Sequence, residues 1–226
     1  FNENFTITIS NTTFINNTAL SYGGAIYDYG IMEILNSTFI DNNATYGGGA
    51  IFDFYENNNK QNITISSSSF INNTAESGGA IYNNQNCILN ILNTSFINNT
   101  GKGLDVGTGG GAIFNYNGGM VTITGSDCSF INNSATYDGG AIYNYKSITN
   151  ISATCLFILN NATYGGAIYN SQNSIISISG KNSTFINNSA DKYGGAIYSY
   201  NSLLNITGVN CSFINNSAKT SIGDMG

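Results

Sequence analysis

The 226-residue chain contains no proline, tryptophan, histidine or arginine, and only 8% of its residues are charged, far below the usual share of about 25%. Each absence removes a class of chemistry. Without histidine there is no imidazole base and no histidine metal ligand. Without arginine there is no bidentate clamp for phosphate or carboxylate. The six lysines are scattered and the formal charge is −6, so no basic stripe exists to track nucleic acid or an anionic membrane. No apolar run reaches the roughly 18 residues of a membrane span, and no charged-then-apolar opening marks a secretory signal, so no membrane insertion by this segment is expected. With nine leucines, the leucine-rich repeat pattern cannot be filled. The expectation is a chain that is not an enzyme, with no cofactor and no metal, working through a surface.

What the chain has in abundance is asparagine (39) and isoleucine (31), and both recur in register. F-I-x-N occurs eight times, at Phe14, Phe39, Phe70, Phe96, Phe130, Phe157, Phe185 and Phe213, in steps of 25 to 34 residues. G-G-A-I-[YF] falls between the copies, and an alternating β-branched stretch such as Ile63-Thr64-Ile65 or Val121-Thr122-Ile123 completes the unit. Three short strand candidates per unit, poor helix formers throughout and one recurring period predict an all-β fold. That fold is a right-handed single-stranded parallel β-helix (β-solenoid) of about eight coils of three short strands, spanning residues 1–226 as a single repeat domain. Successive coils lie about 4.8 Å apart, so equal positions stack into columns.

The columns have different chemistry. Three residues after each Phe stands Asn without exception: Asn17, Asn42, Asn73, Asn99, Asn133, Asn160, Asn188 and Asn216. This column predicts an asparagine ladder at a turn, because Asn tolerates left-handed backbone and its amides bond along the stack. Two residues before each Phe lie Thr12, Ser37, Ser68, Thr94, Cys128, Cys155, Ser183 and Cys211, small and facing inward with Phe. Cys128 and Cys155 sit one coil apart, but in-register Cβ atoms near 4.8 Å exceed the usual 3.5–4.5 Å of a disulfide, so small buried residues are the simpler reading. The Gly-Gly pair fits positive φ or close backbone approach at a second corner.

The column after G-G-A-I is aromatic: Tyr27, Phe52, Tyr82, Phe114, Tyr143, Tyr169 and Tyr198. With the Ile before it pointing inward, it forms an outward stripe, joined by Tyr29, Phe54, Tyr116, Tyr145 and Tyr200 two residues on. Stacked tyrosines offer an apolar face and a hydroxyl to a sugar ring, or protect the sheet beneath. Asp28 and Asp53 share a column one coil apart, near the roughly 5–5.5 Å separation of a retaining glycosidase pair. The column continues as Asn83, Asn115, Asn144, Asn170 and Ser199, which reads as a polar turn. Of the seventeen N-x-[ST] sequons, those at Asn16, Asn72, Asn132, Asn187 and Asn215 lie at the strand end as candidate glycan acceptors. Residues 55–62 and 101–109 lengthen two corners and predict surface loops.

The pairing of Gly23-Gly24-Ala25-Ile26 with Phe14-Ile15-Asn16-Asn17 resembles the repeat of chlamydial polymorphic outer-membrane proteins. The asparagine-rich form F-I-N-N-[ST]-A-x-x-G-G-A-I-Y is similar to adhesin-like surface proteins of methanogenic archaea. The resemblance covers nearly the whole chain and implies a parallel β-helix at the cell surface, extracellular, with no catalytic residues. The last repeat, Phe213 to Gly226, stops where G-G-A-I should begin, so a segment of a longer array open at both ends is expected. The expected partner is a glycan or cell-surface ligand, for which the segment acts as an adhesin. The alternatives are end-to-end self-association into an extracellular filament or envelope scaffold, and, third, a polysaccharide-active β-helix enzyme.

Overall fold

The computed structural model describes residues 6–54, 61–105 and 107–219. Over these the chain winds into a parallel β-solenoid, and no helix occurs among the described residues. Each turn carries four strands, not three. The first turn runs Thr6–Ser10, Thr13–Ile15, Thr18–Ala19 and Ile26–Asp28. Like strands pair with like, giving three eight-stranded sheets and one seven-stranded sheet, so seven turns are complete and an eighth has three strands among the described residues. The strand missing from the expectation is the two-residue one after the asparagine, such as Thr74–Ala75 or Ser134–Ala135. Two residues are too few to show the period-2 alternation by which a strand is recognised.

Register is set by the repeat itself. Phe130 pairs with Phe96 and with Phe157, Ile131 with Ile97 and Ile158. A slip of one residue would turn every Phe outward. The eight Phe rings form one continuous stack with centroids 4.5–5.0 Å apart and planes within 9° of parallel. Against it pack the inward residues of the long strands, Ile63 and Ile65, Leu89 and Ile91, Val121 and Ile123, and the Ala-Ile of the glycine motif.

The asparagine ladder is continuous from Asn17 to Asn216. Asn133 Nδ2 donates to Asn160 Oδ1 (3.1 Å) and to Phe96 O (3.0 Å), and its Oδ1 accepts from the Asn99 main-chain N and Nδ2 (both 3.0 Å). Left-handed backbone belongs to the preceding column instead: Asn16, Asp41, Asn72, Asn98, Asn132, Leu159, Asn187 and Asn215 have φ between 52° and 58°. Two adjacent columns thus divide the work expected of one, the exposed residue making the corner and the buried one wiring coil to coil. The five candidate glycan acceptors all stand in the exposed column.

The glycine pair is divided in the same way. The first, Gly139 for instance, has φ +65°, while at the second, Gly140, an added Cβ would lie 2.1 Å from Gly166 O and 2.6 Å from Asn161 N. The small inward column is a hydroxyl ladder: Ser37 Oγ donates to Leu35 O (2.9 Å) and accepts from Thr12 N (3.2 Å). Where cysteine replaces it, the thiols do similar work, Cys128 Sγ donating to Thr124 O at 3.3 Å, and all four cysteines are free.

Candidate functional site: the aromatic face

The outer face of the fourth sheet is built by strands Ile81–Asn83, Ile113–Tyr116, Ile142–Tyr145 and their equivalents. In each, Ile enters the core and the next residue turns out because strand side chains alternate. The seven rings of the expected stripe follow one another with centroids 4.8–5.3 Å apart. The expectation of an exposed stripe is corrected in its middle. Phe52, Phe114, Tyr143 and Tyr169 are buried, Tyr143 at 1% exposure, and the last three form a second apolar cluster outside the main core. The flanking column covers them: Phe114 lies 5.5 Å from Tyr116 and Tyr143 6.0 Å from Tyr145.

A third column contributes rings that the repeat reading missed. The residue before Gly-Gly is Tyr22, Tyr164 or Tyr193 in three coils and Gly47, Ser77, Gly109 or Asp138 in the others. Tyr22 sits 4.4 Å from Phe52, and Tyr193 5.4 Å from Tyr198. The signal was the recurring Y-G-G, which counts as turn punctuation unless the bend is known to return that side chain over the sheet. The exposed aromatic surface is therefore a composite of Tyr22, Tyr27, Tyr29, Tyr193 and Tyr200 with Tyr46, whose ring lies 5.6 Å from Tyr22, all from 36% to 55% exposed. Lys146 lies over the Tyr145 ring at 5.3 Å and Lys192 over Tyr164 at 5.7 Å.

Burial keeps the covered phenols of the stripe neutral. It pushes Tyr82, Tyr143 and Tyr169 well above the ordinary tyrosine range, so each hydroxyl keeps its proton. Ser171 Oγ bonds the Tyr143 hydroxyl at 3.3 Å. Asp138, also raised by burial, to about 6, accepts the Gly107 main-chain N at 3.0 Å and so ties the 101–109 insertion to this face. The other insertion, 55–62, lies outside the described residues except for Gln61 and Asn62.

The tied loop also walls an open groove of about 420 Å³ that crosses the two-residue strands, lined by Thr45, Thr74, Glu76, Lys102, Leu104 and Asp105. A second groove, about 500 Å³, is lined by hydroxyls of Ser67, Ser69, Ser95, Ser126 and Ser129 with Asn93. Asp28 and Asp53, weighed above as a carboxylate pair, are buried inside the solenoid at 4% and 0% exposure, out of reach of a polymer. The polar turn column they begin lies on the inside of its corner: Asn83, Asn115, Asn144 and Asn170 are all fully buried. No cluster of His, Cys, Asp or Glu suited to a metal occurs among the described residues.

Five segments, residues 11–28, 36–53, 67–84, 127–145 and 182–200, match the family model of the Chlamydia polymorphic membrane protein repeat. Each match runs from the Phe strand through the two-residue strand to the aromatic strand, which is three of the four strands of a turn. No curated protein and no solved structure matches the chain.

Proposed function

We propose that this chain is a non-catalytic, surface-displayed repeat segment that attaches to glycans or other cells, working from the exposed aromatic face and the grooves beside it. The five matches to a membrane-protein repeat support the surface location. The right-handed coil belongs to the same reading, because parallel crossovers take that hand. The observation that carries the binding role is the set of half-exposed tyrosines, Tyr22, Tyr29, Tyr46, Tyr193 and Tyr200, on a rigid scaffold. Each offers an apolar ring face and a hydroxyl, and its ordering by neighbouring rings lowers the entropy lost on binding.

The test is a glycan-array and cell-binding assay of the chain against a variant with Tyr29, Tyr46, Tyr193 and Tyr200 changed to Ser. These side chains are exposed enough for the fold to survive, and a loss of ten-fold or more in binding is expected. Unchanged binding by a folded variant overturns the role of this face. Surface location is tested separately, by protease treatment of intact source cells.

The filament reading draws on a different observation. The Phe213 ring at the last described turn is 45% exposed, and its strand, Ser212–Ile214, pairs with Thr184–Ile186 and with no other strand among the described residues. That edge accepts a further coil in the same register, from this chain or from another copy. Electron microscopy of native material distinguishes the two, since only the second gives fibres with one chain per axial repeat.

A further inference from the structure

Inside the corner that joins the fourth sheet to the long sheet runs a second amide ladder, and it has a direction. Asn83 Nδ2 donates to Asn115 Oδ1 (2.8 Å), Asn115 Nδ2 to Asn144 Oδ1 (2.8 Å), Asn144 Nδ2 to Asn170 Oδ1 (2.9 Å) and Asn170 Nδ2 to Ser199 Oγ (3.1 Å). Each amide gives one hydrogen to the next higher-numbered coil, and the Oδ1 of Asn115, Asn144 and Asn170 each accepts one from the coil before. The same Nδ2 groups also serve main-chain carbonyls of the corner, such as Cys87 O, Ile148 O and Leu203 O. The slot therefore presents acceptors and requires a donor.

In the first two coils the slot is filled by Asp28 and Asp53, which pair directly with each other, and Asp53 pairs with Asn83. An ionised carboxylate has no hydrogen to give. Accordingly, four buried oxygens of this column lack any hydrogen-bond partner: Asp28 Oδ2, both Oδ atoms of Asp53, and Asn83 Oδ1. Asn83 Oδ1 is the telling one, because its counterparts in the next three coils each receive an amide hydrogen from the coil below.

We propose that Asp28 and Asp53 are held as neutral carboxylic acids whose protons continue the ladder, Asp53 donating to Asn83 Oδ1 and Asp28 to Asp53, so that the first three coils contain a proton-dependent joint. A protonated carboxyl has the shape of the carboxamide that fills the slot elsewhere, so no extra space is needed. Among the described residues the surroundings supply no compensating cation. The described groups facing the pair are each other, the Cys87 thiol of the third coil, which donates to Asp53 O at 3.6 Å, and the main-chain N–H groups of Tyr29 and Gly30 on Asp28. The ion pair found among the described residues, Lys219 with Asp191, lies at the opposite end of the solenoid.

The electrostatics agree in direction. Burial lifts Asp53 to about 8, with the Asp28 charge adding to the rise. Burial also raises Asp28, partly offset by the two main-chain donors. The folded state thus binds these protons more tightly than the unfolded chain, so the stabilisation is complete under acid conditions and is lost as pH rises toward and through about 8.

The experiment is an infrared pH titration of the whole chain, reading the carbonyl stretch of protonated carboxyl groups. It is paired with amide hydrogen exchange of strands Ile26–Asp28 and Ile51–Asp53, in the wild type and in D28N/D53N. The expected result is a protonated-acid band at pH 6 that disappears above about pH 8 together with protection of those strands. In D28N/D53N the band assigned to the pair is absent and protection persists at alkaline pH. Ionised carboxyls at pH 6 overturn the proposal. So does a melting temperature that rises with added calcium or magnesium and falls with a chelator, which would put a divalent cation in the slot. Should the double variant fail to fold, the band at pH 7 in D138N, which lacks the other raised carboxyl, decides alone.

Discussion

Asn132 and Asn133 are the same residue type in neighbouring positions with opposite duties. Asn132 is exposed at φ 53°, where glycine is at least as comfortable, so Asn132→Gly should shift stability by no more than about 0.5 kcal/mol. Asn133→Ala strips acceptors from the Asn99 main-chain N and Nδ2 and a donor from Phe96 O and Asn160 Oδ1. Buried groups left unpaired cost about 1–3 kcal/mol each, so a loss of at least about 3 kcal/mol is expected in urea unfolding. Equal losses for the two variants would mean that the ladder carries no more than the corner does. At Gly140 the constraint is steric: a methyl group placed 2.1 Å from Gly166 O forces the two coils apart, and Gly140→Ala should be among the most destabilising single substitutions, of the order of 4 kcal/mol.

At the scale of the element, the Phe strands owe their order to stacking across sheets of parallel pairs. Phe130 touches Phe96 and Phe157 at 4.8 Å on either side, so truncation opens a cavity in the middle of a column that close-packed neighbours cannot fill. Phe130→Ala should cost about 3–5 kcal/mol and Phe130→Leu appreciably less, measured by chemical denaturation. The two-residue strands behave differently. Thr74–Ala75 and Ser134–Ala135 are held by main-chain bonds such as Thr74 N to Asn42 O (2.9 Å) and Ser134 N to Asn99 O (2.9 Å), and their existence follows from the asparagine corner before them and the glycine bend after. Such strands are consequences of their flanks, with no hydrophobic pattern of their own. The 101–109 insertion departs from the repeat without breaking it, because Lys102 N and Gly103 N still bond Ala75 O and Glu76 O (2.7 and 2.9 Å) before the loop leaves the sheet.

For the molecule as a whole, the titratable groups with raised carboxyl pKa values lie inside or beneath its faces. Asp138 is lifted to about 6 and Asp53 to about 8, both by burial. The unfolded chain releases these protons near pH 4, the folded chain only later, so folding is most favourable in mild acid and weakens by several kcal/mol as pH rises from about 4 to about 8. A melting temperature that falls across that window is the expected outcome, the reverse of a protein stabilised by salt-bridged carboxylates. In D138N the fall between about pH 4 and pH 6 should be shallower by the Asp138 share, while the fall from about pH 6 to pH 8, which Asp53 drives, should remain. Because each coil contacts only its neighbours, opening at one joint need not melt the rest, and the loss of exchange protection at high pH should begin in the first two coils.

The repeat period, the parallel stacking, the Phe core and the asparagine ladder were all legible in the sequence, because a solenoid places equal positions on top of one another and a recurring letter is then already a contact. Phe14 through Phe213 and Asn17 through Asn216 needed no tertiary information to be aligned. The structure alone decided what happens across a coil, where residues far apart in the period meet. It showed that the bend before Gly-Gly lays Tyr22, Tyr164 and Tyr193 over Phe52, Tyr169 and Tyr198, while the flanking column covers the buried middle rings Phe114 and Tyr143. It also showed that the Asp28 column turns into the corner and not out to solvent. Both outcomes depend on the angle at a corner, set by positive-φ residues and by close backbone approach, and a periodic pattern of letters carries no record of that angle.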